Sequence, residues 1–323
     1  MSDLPKAVRI NEEGPREGFQ IEKGPISTER KIVLIDSLSQ TGLKQIQCVS
    51  FVNPKNVPGW ADAEAVTAGF SKRDGVSYTC LWLNDQGFKR AMGAGRYEMA
   101  GRISLTASET FVKRNQNRTL KENYDAQSAS IALYKAHGLP VEKASIMAAF
   151  GCNFEGDMPS DRLTGVVEQI FEIAAVNDVR IKSLSLADTM AWATPATIKR
   201  LVGAVRERWP DIELALHLHD TRGMGIANAY AGLEMGVAAY DAAVAGLGGC
   251  PFAAHKSAAG NVCTEDLVFM CEEMGIATGV DLARLVESAA LAEDIVGHPL
   301  PGSVKGGGTL GRLRTQIRAA KAA

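Results

Sequence analysis

The chain has 323 residues, a formal net charge of −2 and 46% hydrophobic residues. This length can bury a large core, as one big barrel or as two ordinary domains. The near-neutral charge gives no electrostatic basis for binding nucleic acid or an anionic membrane. No apolar run approaches transmembrane length. The composition therefore predicts a globular protein with no nucleic-acid partner and no membrane partner.

The N-terminus and the cysteines indicate a compartment. Residues 1–8 lack the hydrophobic core of a signal peptide, and early acidic residues argue against a transit peptide. The six cysteines are scattered, with no CxxC pair and no dense framework. This spacing is typical of reduced thiols, so the sequence predicts a cytoplasmic protein.

Short β-rich runs alternate with helical patterns along the chain. The predicted strands cover residues 7–11, 44–49, 77–83, 102–106, 143–149, 182–186, 213–219 and 238–244. The predicted helical segments cover residues 27–42, 58–70 (a loop and a helix), 85–95, 117–137, 159–175, 194–209, 226–235 and 264–274. This alternation implies a parallel sheet with crossover helices, and eight units favour a (β/α)8 TIM barrel. A nucleotide-binding fold is disfavoured because no GxGxxG follows the first strand.

The C-terminal end differs in composition from the rest. Residues 306–308 are three glycines, and a basic stretch with a helical pattern follows them to residue 322. Such glycines are typical of a hinge or linker. We therefore predict a barrel domain over residues 1–300 and a Gly-rich linker with a basic, helical tail over residues 301–323.

Two histidines stand at the end of the seventh predicted strand. Residues 213–220 read ELALHLHD, and residues two apart on a strand point to the same face, so His217 and His219 project side by side. Paired imidazoles indicate a divalent-metal site. The alternative is a pair of buried histidines hydrogen-bonded to the backbone. In a TIM barrel, the chemistry lies in the loops after the strands, where these residues stand.

Four ordered motifs carry a resemblance that covers residues 8–285. They are GPREGFQ at 14–20, HLHDT at 217–221, GLGGCP at 246–251 and GNVCTED at 260–266. Together they resemble the hydroxymethylglutaryl-CoA lyase family, a branch of the TIM-barrel metal-dependent lyases and synthases. The resemblance implies cleavage of a branched 3-hydroxyacyl-CoA by a retro-Claisen reaction, which releases acetyl-CoA and a keto acid.

The resemblance also implies a metal centre. Its ligands fall on Glu17, His217, His219 and Asn261. Two nitrogens, a carboxylate and an amide oxygen leave open positions on an octahedral Mg²⁺ or Mn²⁺, which we prefer to zinc. A bound ion would acidify the substrate alcohol and polarise the developing ketone.

The catalytic set implied by the resemblance is Arg16, Asp188, Cys250 and His217. Arg16 would stabilise negative charge on the thioester oxygen, although a surface salt bridge is the alternative. Cys250 would protonate the departing enolate, whereas the other cysteines are interpreted as core residues. Asp188 would help to remove the hydroxyl proton or orient a metal ligand, unless it only caps a turn. Glu265 and Asp266 are expected only to cap a helix.

Several positions depart from the family pattern. Glu17 stands where the family usually has Asp, Gln47 where it has Glu near the metal, and Arg222 where it has Tyr. Trp82 and Trp192 replace smaller loop residues, so we expect both to narrow the substrate mouth.

The remaining expected substrate contacts lie in two loops. Thr189 follows Asp188, and the loop 252–259 is about two residues longer than usual and carries His255 and Lys256. The two cations could meet a substrate carboxylate or a CoA phosphate, although a solvated loop face is the more common outcome. With Gln47 and the two tryptophans, these residues form the predicted substrate-binding set.

The leading hypothesis is thus a metal-dependent carbon–carbon lyase that cleaves a branched 3-hydroxyacyl-CoA, either hydroxymethylglutaryl-CoA or a close analogue. The departures suggest an acyl group other than hydroxymethylglutaryl. One alternative is a citramalyl-CoA-type lyase or a Claisen-condensing synthase. Another is a barrel that binds acyl-CoA without turnover, prompted by Glu17 and Gln47. The resemblance further implies a homo-oligomer, specifically a dimer.

Overall fold

The computed structural model describes residues 4–22, 24–249 and 260–322. Its chain forms two compact units. Among the described residues, the central unit comprises residues 4–5, 98–241, 249 and 260–261, and the terminal unit comprises residues 6–22, 24–97, 242–248 and 262–322. Each unit contains parallel strands and helices.

Eight parallel strands follow one another along the described chain. They are β1 (Arg9–Glu12), β2 (Gln45–Ser50), β3 (Ser77–Leu81), β4 (Gly101–Thr106), β5 (Val141–Met147), β6 (Ser183–Ala187), β7 (Glu213–His217) and β8 (Ala239–Ala242). In the terminal unit, β2 pairs with β1 and β3. In the central unit, β4 to β8 pair in sequence order. All eight strands coincide with predicted ones.

Thirteen α-helices occur in the described residues. They are α1 (Gly14–Ile21), α2 (Thr28–Leu38), α3 (Ala63–Gly69), α4 (Asp85–Ala94), α5 (Glu109–Gln116), α6 (Leu120–Ala136), α7 (Ser160–Val176), α8 (Pro195–Arg208), α9 (Gly225–Glu234), α10 (Thr264–Glu273), α11 (Leu282–Val296), α12 (Val304–Gly307) and α13 (Leu310–Ala322). The succession of strands and helices is that of an α/β TIM barrel with C-terminal helices, as predicted.

Helices α1, α5, α6, α11 and α12 differ from the sequence prediction. The motif after β1 forms the helix α1 rather than a loop, with a proline in its first turn. The predicted helix 117–137 begins later, at Leu120, because Asn117 adopts a left-handed backbone (φ 53°) and ends a separate helix, α5. Thr119 then starts α6 with a full capping box to Glu122. Helix α11 had no sequence prediction.

The burial of alternate strand residues explains why a period-two pattern in the sequence predicts strands. In β7, Leu214 and Leu216 are buried, and the alternate residues Glu213, Ala215 and His217 share the other face. The glycine-rich tail is partly helical, and the basic helix α13 is present as predicted. The domain boundary at residue 300 remains a prediction.

The structure also bears on redox state and membrane insertion. All five cysteines in the described ranges are buried thiols outside disulfide bonds, in agreement with the predicted reduced state. Among the described residues, no helix combines the length and apolarity required to cross a bilayer.

Candidate active site

The two predicted metal-ligating histidines lie together at the end of β7. His217 is the last residue of the strand, and His219 lies just beyond it. Their Nε2 atoms are 3.1 Å apart, and His219 is buried. The Nε2 atoms of His217 and His219 therefore face each other on one side of the strand end, as the strand period predicted. Neutral imidazoles have one lone-pair nitrogen each, so this arrangement suits a shared cation.

Two further groups of the central unit hold this pair. Asp241, in β8, places its Oδ2 atom 3.3 Å from Nδ1 of His217. A carboxylate on Nδ1 leaves Nε2 as the ligand atom and increases its basicity. Asn261 forms an isolated antiparallel bridge with His219, and the Asp220 N–H donates to the carbonyl of Gly260 at 2.7 Å. The backbone thus brings the predicted amide ligand beside His219.

The side chain of Asn261 provides the test of whether these residues fit a metal. The residue is only 1% exposed, and within the described part of the chain neither its Oδ1 nor its Nδ2 atom has a hydrogen-bond partner. A buried amide without a partner is costly unless it binds something. An amide oxygen with two imidazole nitrogens is a donor set that Mg²⁺ or Mn²⁺ accepts. The residues present therefore fit a divalent cation.

Asp188 follows β6 and is fully buried. Its Oδ1 atom accepts hydrogen bonds from the N–H groups of Trp192 (2.7 Å) and Ala193 (3.0 Å). Its Oδ2 atom is buried and has no hydrogen-bond partner within the described ranges. Burial raises the pKa of Asp188 to about 6, although His219 and His217 act to lower it. The structure thus shows the turn-capping contacts of Asp188, and its role in proton transfer or in orienting a metal ligand stays a prediction.

The loop after β6 is held at several points. Arg222 donates from Nη1 to the carbonyls of Met190 (3.0 Å) and Ala191 (2.8 Å). Ala191 has φ 55°, a left-handed backbone that a side chain disfavours. Thr189 accepts a 2.8 Å hydrogen bond from the N–H of Ala148. These contacts fix the loop that carries Asp188.

The two predicted tryptophans are placed differently. Trp192 donates from Nε1 to Oδ1 of Asn153 at 2.7 Å and packs on a buried cluster that includes Met190 and Cys152. Trp82 follows β3 and packs on Phe88, with ring centroids 5.7 Å apart. Both are half-buried, and their predicted contact with substrate remains a prediction.

The terminal unit holds the second group of predicted residues, after β1 and β2. Arg16 lies in the first turn of α1, and its guanidinium contacts Glu13, Glu17 and Gln47. The Arg16–Glu17 distance is 3.1 Å, between Nη2 and Oε2. Trp60 donates from Nε1 to the carbonyl of Arg16 at 2.9 Å. Arg16 therefore forms salt bridges, with a side chain that is 13% exposed, and its catalytic role stays a prediction.

A fully buried glutamate, Glu12, lies beneath this group. Its carboxylate accepts hydrogen bonds from the N–H of Gly14 (2.7 Å), the N–H of Val244 (2.9 Å) and the hydroxyl of Thr264 (2.7 Å). Burial raises its pKa to about 8, against the lowering effect of these donors. Glu12 thereby ties the start of α1 to the turn at residues 244–246 and to the start of α10.

Glu265 and Asp266 stand in the first turn of α10, as expected for acids that complement a helix dipole, and their carboxylates also accept hydrogen bonds from the backbone of other segments. Glu265 accepts from the N–H of Ala245 at 2.9 Å, and burial raises its pKa to about 6. Asp266 accepts from the N–H groups of Ser303 and Val304, which begin α12. Their role in this structure is to hold neighbouring loops.

Three predicted residues lie outside the described residues: Cys250, His255 and Lys256. Their proposed roles stay predictions. Conversely, sequence reasoning missed Glu12, Glu13 and Asp241. Each is an acidic residue at or next to the end of a strand, so the TIM-barrel rule for strand ends could have found them.

The fold and these side chains define a TIM-barrel enzyme of a divalent-metal-dependent class. The HMGL-like family model matches residues 7–292. This chain therefore belongs to the HMGL-like family, and it is a carbon–carbon lyase of the oxo-acid-lyase type.

Three relatives illustrate the similarity. Hydroxymethylglutaryl-CoA lyase YngG of Bacillus subtilis is 39% identical over 305 residues, which cover 92% of this chain and 96% of that protein. The structure of hydroxymethylglutaryl-CoA lyase from Pseudomonas aeruginosa has a TM-score of 0.85 and 36% identity, covering 94% of this chain and 98% of that one. An HMG-CoA lyase from Acinetobacter baumannii, in complex with coenzyme A and 3-methylmalate, has a TM-score of 0.83 and 34% identity, covering 96% and 97%.

Proposed function

We propose that this chain cleaves 3-hydroxy-3-methylglutaryl-CoA to acetyl-CoA and acetoacetate. The similarity to hydroxymethylglutaryl-CoA lyases over nearly the whole chain supports this substrate. The observation that carries the proposal in the structure is the His217–His219 pair beside the buried, unpartnered amide of Asn261. The synthase and the non-catalytic barrel gain no support from these relatives.

The metal ligands would be His217, His219, Asn261 and Glu17. In a TIM barrel, the loops after all strands meet at one end, which supports a joint role for Glu17 after β1 and the pair after β7. When bound, Mg²⁺ or Mn²⁺ would lower the pKa of the substrate hydroxyl and polarise its oxygen. Asp241 would orient His217 so that Nε2 is the ligand atom.

Asp188 would accept the proton of the substrate's tertiary hydroxyl on Oδ2. Its Oδ1 atom is committed to two backbone N–H groups, which fixes the carboxylate. As that proton leaves, the bond between C2 and C3 breaks, C3 becomes the ketone of acetoacetate, and the electron pair passes to C2 as the enolate of acetyl-CoA. A pKa of about 6 leaves Asp188 mostly ionised at neutral pH and able to accept the proton.

Arg16 would stabilise the negative charge that develops on the thioester oxygen in this step. A guanidinium stays charged and presents donors in a fixed plane. Cys250 would then protonate C2 of the enolate to complete acetyl-CoA, which leaves a thiolate that regains its proton from solvent. Gln47, Thr189, Trp82, Trp192, His255 and Lys256 are the proposed substrate-binding residues.

The proposal also covers the identity of the ion, the assembly, the location in the cell, the domain boundary and a further substrate. We propose Mg²⁺ or Mn²⁺ as the ion, a dimer as the assembly, a cytoplasmic location, and a barrel domain that ends at residue 300 before the linker and tail. The departures at Trp192 and Arg222 support an acyl group that is a close analogue of hydroxymethylglutaryl as a further substrate.

The test is turnover on a panel of thioesters. The purified protein with Mg²⁺ or Mn²⁺ is incubated with 3-hydroxy-3-methylglutaryl-CoA, citramalyl-CoA and longer branched analogues, and acetyl-CoA is detected by mass. We expect acetyl-CoA and acetoacetate from the first. Metal-loaded protein that turns over no member contradicts the proposal.

The variant Cys250→Ser tests the final proton transfer. We expect turnover to fall by about 10²–10⁴-fold, the range for general acid catalysis, with unchanged metal content. Cys271→Ala, which removes a buried thiol of α10, is the matched control and should retain turnover. Unchanged turnover in Cys250→Ser removes this residue from the mechanism.

A further inference from the structure

The guanidinium of Arg16 is held by three side chains rather than one. Nη2 contacts carboxylate oxygens of Glu13 and Glu17, and Nε donates to Oε1 of Gln47. The Arg16 side chain is 13% exposed, and the side chains of both glutamates are 9% exposed. These contacts fix the plane of the guanidinium from two directions, because Nε and Nη2 are bound to different elements.

Gln47 and Glu13 also contact each other. Nε2 of Gln47 donates to Oε1 of Glu13 at 3.2 Å, while its Oε1 accepts from Arg16. Only this orientation of the amide satisfies both neighbours, since Arg16 can only donate and an ionised Glu13 can only accept. The three residues therefore form a closed triad that joins α1, its N-terminal flank and β2.

The carboxylate of Glu13 does not cap helix α1, so it can contact Arg16 and Gln47. Glu13 is the N-cap residue of α1, yet its side chain makes no capping hydrogen bond. Its N–H donates to the carbonyl of Ala242 at 2.8 Å, and its carbonyl accepts from the N–H of Glu17 at 2.8 Å. With the backbone held on both sides, the side chain is directed at Arg16 and Gln47 instead of at the helix terminus.

We infer that Glu13 is the positioning residue for Arg16, and that it supplies the negative charge that the amide at position 47 cannot. Gln47 links Glu13 to Arg16 and carries no charge of its own. This inference rests on the catalytic role proposed above for Arg16. Glu13 acts on the reaction through Arg16, by holding its charge and its plane where the thioester oxygen becomes negative.

An exchange of the acid and the amide tests the inference. Glu13→Gln should lower kcat by about 10–100-fold with a smaller change in KM, because a misplaced guanidinium weakens transition-state stabilisation. Gln47→Glu should also lower kcat, because three carboxylates then surround one cation. The double variant Glu13→Gln/Gln47→Glu restores one acid and one amide, and its kcat should recover to within about threefold of the parent protein.

Two results would overturn the inference: a Glu13→Gln variant that keeps at least half of the parent kcat, or a double variant no better than the poorer single one. Glu64→Gln is the matched control, because it breaks an Arg–carboxylate pair, with Arg90, elsewhere in the same unit. It should leave kcat unchanged. Thermal unfolding of all variants identifies any that fail to fold.

A second readout does not depend on turnover. In protein labelled with ¹⁵N-arginine, the Nε–H of Arg16, assigned with Arg16→Lys, should exchange slowly in the parent and in the double variant and faster in Glu13→Gln. Equal exchange in all three overturns the inference. If no thioester is cleaved by the parent protein, the proposed function fails while this measurement still decides whether Glu13 fixes Arg16.

Discussion

The two groups of site residues are built in different ways. In the central unit, His217, His219 and Asn261 are positioned by strand β7 and by backbone hydrogen bonds such as that from Asp220 to Gly260. In the terminal unit, Arg16 is positioned by the side chains of Glu13, Glu17 and Gln47. A side chain that the backbone positions keeps its place when neighbouring side chains are substituted. A side chain that other side chains position depends on which residues surround it, so a substitution at one of them can be offset by a substitution at another.

This difference bears on two of the departures from the family pattern, those at Glu17 and Gln47 in the terminal unit. The histidines, Asn261 and Asp188 match the expected residues, whereas Glu17 and Gln47 do not. When side chains position a residue, an acid and an amide can exchange sequence positions and still make the same contacts to it. The presence of Glu13 beside Gln47 is an example, because the carboxylate reaches the same guanidinium from the preceding strand end.

The largest expected effects come from substituting one residue of each group, His217 in the central unit and Arg16 in the terminal unit. His217→Ala should abolish metal binding and reduce turnover by at least about 10³-fold, because a ligand is lost. Arg16→Ala should reduce turnover by about 10²–10³-fold with full metal content, because only charge stabilisation is lost. Metal stoichiometry by elemental analysis and steady-state kinetics check both. A His217→Ala protein that still binds one metal ion would show that the ligand assignment is wrong.

A smaller effect is expected at the loop after β6. Arg222→Ala removes two charged hydrogen bonds to the carbonyls of Met190 and Ala191, each of which contributes about 1 kcal/mol at a partly exposed site. We expect KM to rise by about tenfold with unchanged metal content, because the loop with Trp192 loosens. Arg200→Ala is the control, since Arg200 binds the carbonyl of Met158 in the same unit. Equal KM values in the two variants would contradict a role for Arg222 in substrate binding.

A further expected effect concerns stability rather than turnover, and it arises from the pH dependence of the buried Glu12. Its pKa is about 8 in the folded protein and near 4.5 when unfolded, so unfolding releases a proton between these values. Its contribution to stability is therefore fully present below about pH 4.5 and is lost as the pH rises through about 8, with a slope of up to about 1.4 kcal/mol per pH unit.

Glu12→Gln should flatten the decline of unfolding free energy with pH over this window. Urea unfolding at pH 5.5, 6.5 and 7.5 measures the slope. Glu172→Gln, a change at an exposed residue of α7, serves as the control and should keep the parent slope. An unchanged slope in Glu12→Gln would show that this carboxyl is already ionised at neutral pH in the folded protein.

The pattern of the chain predicted the eight strands and most of the helices, because period-two and period-3.6 burial are local properties. The misplaced start of the helix at residue 117 had a local cause as well. Asn117 adopts a left-handed backbone and Thr119 provides a new cap, and such boundaries depend on one or two dihedral angles. Helix α1 was missed because residues 14–18 were placed among the loops that follow the strands of a barrel.

The sequence by itself determined the TIM barrel, the family, and the paired imidazoles, since each depends on residue types at short, regular spacing. Only the tertiary structure decided that Glu13 and Gln47 meet at Arg16, that Asp241 meets His217, and that Asp188 turns one oxygen to the backbone. Most of these contacts join residues more than 20 positions apart in the chain. Which side chains meet at that separation depends on the register and twist of the folded strands, and no local pattern contains that information.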